Sequence, residues 1–525
     1  MTSVFETTCG PVRGRNPDRG VVAVLGIPYA EPPFGPDRFR APRPRSPWAG
    51  IRDCVDFGPV APQSAQLPGA PGWSPGDEDV LSLNIWTPAA GNAVAGVRLP
   101  VLVWIHGGAY TFGSGAQPDF DGAALARAGL VVVTLNYRLG FEGFGHVPAD
   151  DADPCPPNRG LLDQIAALNW VRRDIAAFGG DADNVTVAGQ SSGAASVACL
   201  MAMDSTRGLF RRAIAHSVVG PCYAPELAGH LMEKVAAEAG VPATAAGLTA
   251  ASPQALVKAS DAVVDGYRQD PHSGRHHWDP VIYGPVADGV RLRGDPLALL
   301  AGGAGRGIEL LVCHTTQEYW LLDAVGSSAK VTTEEQLNRF AADFGLPDPL
   351  TRGYLALMPE APVGDVHLAL YGDLVFGEYS SRLADAHARA GGRTFLSRFA
   401  RQRGGPEPVA YAWHCADIPF AFGNLDEESV RFLIGGAPTP ADQHLSDRMV
   451  TAWAGFAATG EPGWEPLAAA GPVRTWETTD TTRAPAPGHW SDSGTVRALW
   501  RSFDYRPLRP DAKGRDAKGP DARRP

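Results

Sequence analysis

Apolar positions along the chain follow two alternating rhythms. Val101 to Ile105 in "PVLVWIHGG" and Leu130 to Leu135 in "LVVVTLNYR" are nearly unbroken apolar runs, too short for helices and suited to strands covered on both faces. "LLDQIAALNWVRRDIAAFG" instead repeats apolar residues every three or four positions, at Leu162, Ile165, Leu168, Val171 and Ile175, which predicts a helix. The alternation continues: "NVTVAG" reads as a strand, "SGAASVACLMAM" as a helix, and "RRAIAHS", "ELLVCHT" and "RTFLSRFA" as further strands. Strands alternating with helices predict an α/β fold, a large mostly parallel sheet with helices on both faces. Reactive groups on such sheets gather beyond the carboxyl ends of the strands.

No internal repeat and no long linker divides residues 1–505, so they read as one domain with loop insertions. Residues 506–525 differ: seven basic and three acidic residues among short polar repeats, "DAKGRDAKGPDARRP", predict a solvated, disordered tail. A formal charge of −11 opposes binding to nucleic acid or anionic membranes. No apolar window is long enough to span a bilayer, and the opening "MTSVFETTCGPVRG" lacks the pattern of a signal peptide, so a cytoplasmic protein is expected. Seven cysteines, an odd number without C-x-x-C spacing, suggest neither a disulfide framework nor a zinc site. No metal or cofactor is implied.

The pattern G-x-S-x-G occurs twice, around Ser74 in "GWSPG" and around Ser191 in "GQSSG". Its chemistry needs a strand that stops abruptly, a tight turn and then a helix. Ser191 lies between the predicted strand "VTVA" and the helix beginning at Gly193. Ser74 sits in a Pro- and Gly-rich loop with Pro75 directly behind it. Ser191 is therefore the predicted nucleophile.

A serine hydroxyl needs a base, and the base needs an acid that fixes its tautomer. In the order Ser, acid, His, the later histidines are His367, His387, His414, His444 and His489. His367 and His387 fall on helical stretches and read as surface residues, His444 sits at a helix start, and His489 lies in a proline-rich segment. His414, in "YAWHCADIPFAFGN", occupies a loop after a short apolar segment and is the predicted base. Glu318, beyond the run Leu310 to Cys313, is the leading acid, with Asp288 and Asp323 as rivals. "WIHGGAYTFGSG" places small residues straight after a strand, where backbone N–H groups can approach a substrate oxygen.

These segments, together with "GIPYAEPPFGPDRFRAPRP", "DEDVLSLNIWTP", "NYRLGFEGF" and "WAGFAATGEPGW", resemble the type-B carboxylesterase family of the α/β-hydrolase superfamily, the branch that includes bacterial p-nitrobenzyl-esterase-like enzymes. The resemblance runs nearly end to end. It implies an α/β-hydrolase fold with long insertions around the active site and a carboxylic ester hydrolase working through an acyl-enzyme, its partners a small ester and water. It also implies Ser191 as nucleophile, Glu318 as acid, His414 as base, and an oxyanion hole from the N–H groups of Gly108, Ala109 and Ser192. The chain departs from the family at Gln190, Ser192, Gln317 and Tyr319, and at Ala61 and Val80, where the family commonly carries a disulfide. Trp73, Tyr110, Gln190, Trp320, Phe376 and Phe420 are candidate pocket residues. Alternative readings are hydrolysis of carbamates, lactones or activated amides by the same triad, and a non-enzymatic binding protein on the same fold.

Overall fold

The computed structural model describes residues 3–18, 20–64, 72–89, 97–148, 155–403, 410–467, 473–478 and 494–510. Its strands are β1 (Val4–Thr7), β2 (Gly10–Arg13), β3 (Arg15–Asp18), β4 (Val21–Pro28), β5 (Arg52–Asp53), β6 (Ser82–Pro88), β7 (Leu99–Ile105), β8 (Val131–Leu135), β9 (Gly180–Gln190), β10 (Arg212–His216), β11 (Glu309–Thr315), β12 (Thr394–Phe399) and β13 (Arg474–Trp476). Strands β1, β2 and β5 form a small sheet. The other ten form one sheet in the order β13-β12-β11-β10-β9-β7-β8-β6-β4-β3. Pairing is parallel from β13 through to β8. It is antiparallel from β8 through β6 and β4 to β3.

The unbroken apolar runs are explained by burial on both faces. Val101, Val103, Val131 and Val133 face one core, shared with Leu168 and Val171 of the helix Arg159–Asp174 and Val197 of the helix Ser192–Ala202. Leu102, Trp104 and Val132 alternate with them and face the other core, shared with Leu445, Met449 and Phe456 of the helix Pro440–Thr459. A separate apolar cluster, including Phe340, Tyr371 and Phe376, lies in the helical insertion between β11 and β12.

The parallel strands end nearly in line. Ile105 pairs with Gly189, Gln190 with His216, and His216 with Cys313. The loops leaving β7, β9, β10 and β11 therefore emerge side by side.

Two expectations need correction. His367 and His387 are not surface residues. His387 is fully buried on the face of the helix Glu378–Arg389 that also carries Leu383 and Ala384, and its ring nitrogens bond to Thr394 Oγ1 (2.8 Å) and the Gly305 carbonyl (3.1 Å). His367 is buried against Phe340, with ring centroids 4.7 Å apart. The start of the expected disordered tail, residues 506–510, is also tied to the fold. Leu508 pairs with Tyr223, accepting from Ala224 N and donating to Cys222 O, both at 2.8 Å. Residues 511–525 and His489 lie outside the described residues.

Candidate active site

Ser191 stands at the sharp corner between β9 and the helix Ser192–Ala202, with φ 57° and ψ −124°, a conformation costly for any residue with a Cβ. Its amide is held by the His216 carbonyl of the neighbouring strand at 2.9 Å. The corner closes only because residue 193 is glycine: a Cβ there would lie 2.1 Å from the Ile105 carbonyl oxygen. Ser74, by contrast, lies exposed in a surface turn.

His414 and Glu318 come from adjoining loops zipped to each other. Gln317 N donates to Ala412 O (2.9 Å), Ala412 N donates to Gln317 Oε1 (3.1 Å), and His414 N donates to Glu318 O (3.1 Å). This seats the His414 Nδ1 2.6 Å from Glu318 Oε2. The other carboxylate oxygen accepts from Ser217 Oγ (2.6 Å) and Thr315 N (2.8 Å). Three donors converge on this one buried carboxylate and leave it no freedom to rotate. The His414 ring also lies under Phe376, centroids 4.2 Å apart, and Phe376 sits on a π-helical turn, Asp373–Gly377. The rival acids are engaged elsewhere: Asp288 Oδ1 accepts the amides of Val290, Arg291 and Leu292, and Asp323 pairs with Lys330.

The loop after β7 turns tightly, with Gly108 O accepting from Thr111 N (2.8 Å) and Phe112 N (3.1 Å). Gly108 has φ 111°, and a Cβ on it would sit 1.9 Å from the Phe112 carbonyl oxygen. Among the described residues, the N–H groups of Gly108 and Ala109 have no acceptor. Ser192, at the first position of its helix, adds an amide of the kind left without an intrahelical partner. His106 stacks on Tyr137 (4.5 Å), and burial pushes its imidazole down to about 4, so it is neutral at pH 7.

Of the candidate pocket residues, Gln190 and Phe376 contact His414. Trp320 lines a small cavity with Glu318, Thr315, Thr316 and Asp373. Tyr110 is buried against Phe144, with centroids 4.4 Å apart. Phe420 is a fully buried core ring beside Phe399, and Trp73 stacks on Phe34 near the surface. Ala61 and Val80 are buried in the core.

Sequence reasoning missed a second buried pair. His216 Nδ1 lies 2.6 Å from Asp417, and its Nε2 accepts the Trp453 indole N–H at 2.9 Å. Burial pushes the Asp417 carboxyl up, but the facing His216 outweighs this and holds it below the ordinary range. With Cys313 the pair brings three ligand atoms within 4.8 Å, yet both imidazole nitrogens are already engaged, which leaves none for an ion. The visible signal was a histidine at the end of the short strand Arg212–His216, after the apolar run Ala213 to Ala215.

The sheet order, the corner at Ser191 and the loops around it define an α/β-hydrolase. Residues 1–486 match the model of the carboxylesterase family. The chain is 34% identical over 469 residues to the para-nitrobenzyl esterase of Bacillus subtilis (strain 168), covering 88% of this chain and 91% of that protein. It is 35% identical over 468 residues to the fumonisin B1 esterase of Sphingopyxis macrogoltabida, covering 87% and 82%. The crystal structure of the Geobacillus stearothermophilus carboxylesterase at pH 6.2 superposes with a TM-score of 0.78 at 35% identity, covering 95% of this chain and all of that one (100%). The chain belongs to the carboxylesterase family and is a carboxylic ester hydrolase. Among the described residues, no helix is long and apolar enough to cross a membrane.

Proposed function

We propose that Ser191 attacks the carbonyl of a small carboxylic ester, that His414 takes the serine proton, and that Glu318 holds and stabilises the imidazolium. The N–H groups of Gly108, Ala109 and Ser192 receive the oxyanion of the tetrahedral intermediate. His414 then gives its proton to the departing alcohol, leaving an acyl group on Ser191 Oγ. A water deprotonated by His414 attacks that acyl group, and collapse of the second intermediate returns Ser191 and releases the acid.

The observation that carries this reading is the fixed His414–Glu318 pair, 2.6 Å apart, whose imidazole also contacts the residue directly before the strained serine. The His216–Asp417 pair has the same spacing, but its Nε2 is spent on Trp453 and its ring is fully buried. A cytoplasmic setting is supported by seven free cysteines. Core side chains at Ala61 and Val80, in place of a disulfide, support it too.

A fluorophosphonate probe tests the nucleophile. Labelling is expected to vanish in Ser191→Ala and to persist in Ser74→Ala; labelling that survives Ser191→Ala removes the assignment. Turnover of matched ester, carbamate and anilide compounds then ranks the acyl chemistry, with the ester expected first.

A further inference from the structure

The residue before Ser191 occupies the nitrogen that the chemistry needs. Gln190 Nε2 lies 2.9 Å from His414 Nε2. Since Nδ1 faces a carboxylate and carries the ring proton of the neutral base, Nε2 holds the lone pair, and the amide N–H of Gln190 is aimed into it. Among the described residues Ser191 Oγ makes no hydrogen bond. The resting lone pair is thus taken by glutamine.

The amide orientation is itself constrained. The NH2 end of the amide, not Oε1, complements a lone pair on Nε2, and Cys415, next to His414, has a thiol that burial keeps protonated. Cys415 reaches that position with φ 71°, a left-handed conformation costly for a residue with a Cβ. On the opposite side Gly107 leaves room for the amide: a Cβ there would lie 2.7 Å from Gln190 Oε1.

Resting on the triad assigned above, we propose that Gln190 is a tuning residue for the base. Its N–H complements the Nε2 lone pair of a ring whose single proton lies on Nδ1, so that exchanging this donor for a carboxylate moves the acid limb of activity upward. A donor aimed at the lone pair favours the unprotonated ring, whereas a carboxylate in the same place favours the imidazolium. The other ionisable groups around the ring are common to every variant compared: Glu318 on Nδ1, Asp417 tied to His216, Cys415 on the same loop, Asp119 facing Cys415 and pushed up by burial to about 6, and Asp373 on the turn that carries Phe376. Residue 190 is therefore the adjustable term at Nε2. During attack the amide yields the lone pair to the Ser191 hydroxyl.

The test is the pH profile of kcat/KM for an aryl ester in wild type, Gln190→Met and Gln190→Glu, with fluorophosphonate labelling and thermal melting as checks on folding. Gln190→Glu is expected to move the acid limb up by about one to three pH units, the range for an opposite charge at this separation, while activity recovers at high pH. Gln190→Met, which keeps the volume but loses the donor, is expected to fall between the two. A folded, labelled Gln190→Glu variant whose acid limb coincides with wild type overturns the proposal, as does a Met limb below that of wild type. Failure of the triad reading looks different: His414→Gln or Ser191→Ala would then retain full turnover whatever residue 190 did to the limb.

Discussion

Replacing Glu318 by glutamine swaps one carboxylate oxygen for an NH2 group without changing shape. Oε1 now accepts from Ser217 Oγ at 2.6 Å and Thr315 N at 2.8 Å, and Oε2 accepts from His414 Nδ1 at 2.6 Å. A glutamine has one acceptor for these two sides. Turned with its NH2 toward Thr315, it sets donor against a backbone N–H that cannot rotate, costing about 1–3 kcal/mol for the unpaired group. Turned toward His414, it meets a ring that can move its proton to Nε2, so this orientation prevails. The base then carries hydrogen where its lone pair is needed. The equivalent aspartate-to-asparagine change in a serine protease triad lowers kcat about 10⁴-fold, and at about 1.36 kcal/mol per decade the loss corresponds to about 5.4 kcal/mol of transition-state stabilisation. Steady-state kinetics with an aryl ester should show the loss in kcat, with KM within a few-fold and an unchanged melting temperature. The reasoning is refuted if Glu318→Gln keeps activity within tenfold of wild type, and more pointedly if Asp417→Asn shows the 10⁴-fold loss instead.

Three further outcomes follow from the geometry. Gly108→Ala would bring a Cβ to 1.9 Å from the Phe112 carbonyl at φ 111°, so the loop must move; kcat is expected to fall about 10²–10³-fold, as for a lost oxyanion donor, and a near-normal kcat would exclude this amide. Arg138 is fully buried and bonds Asp163 through Nε (2.8 Å) and a terminal nitrogen (2.7 Å), so Arg138→Met, stranding that carboxylate, should cost about 3–5 kcal/mol in denaturant unfolding, and a loss under about 1 kcal/mol would contradict it. Burial pushes His367 down to about 4, below its unfolded value near 6.5, so its contribution is present above pH 6.5 and drains away as pH falls toward 4; His367→Phe should recover up to about 2 kcal/mol at pH 5 relative to pH 7, and parallel stability curves for the two proteins would disprove it.

Much of this site could be read from the chain because its parts depend on local punctuation. Ser191 was marked by a strand that stops and a helix that starts, and β7, β8, β9, β10, β11 and β12 fall where short apolar runs predict them. Glu318 was ambiguous from pattern alone, since Asp288 and Asp323 also follow the right kind of segment; only their partners separate the three. The burial of His387 was legible in hindsight, because Leu383, Ala384 and His387 share one helical face. The link between His216 and Asp417, 201 residues apart, and the contact of Gln190 with His414, 224 apart, depend on which strands become neighbours, and no local pattern encodes that. The helical insertion between β11 and β12 was equally opaque, since amphipathic helices announce themselves but not the surface they cover.

Backbone strain shows how the fold converts strand register into chemistry. Among the described residues, seven other than glycine have positive φ, and five of them, Ala109, Tyr110, Ser191, Ser217 and Cys415, lie on the loops that leave the sheet around the site. Such conformations cost on the order of 1–2 kcal/mol each and survive only where surrounding contacts over-determine them. Four of them bring a group to the neighbourhood of the site: the amide of Ala109, the hydroxyl of Ser191, the hydroxyl of Ser217, which bonds Glu318, and Cys415 beside His414. A relaxed chain leaving these strands would carry its side chains along the sheet direction. The bent one turns them inward, and the paired ends of β7, β9, β10 and β11 supply the rigidity against which the bend is held.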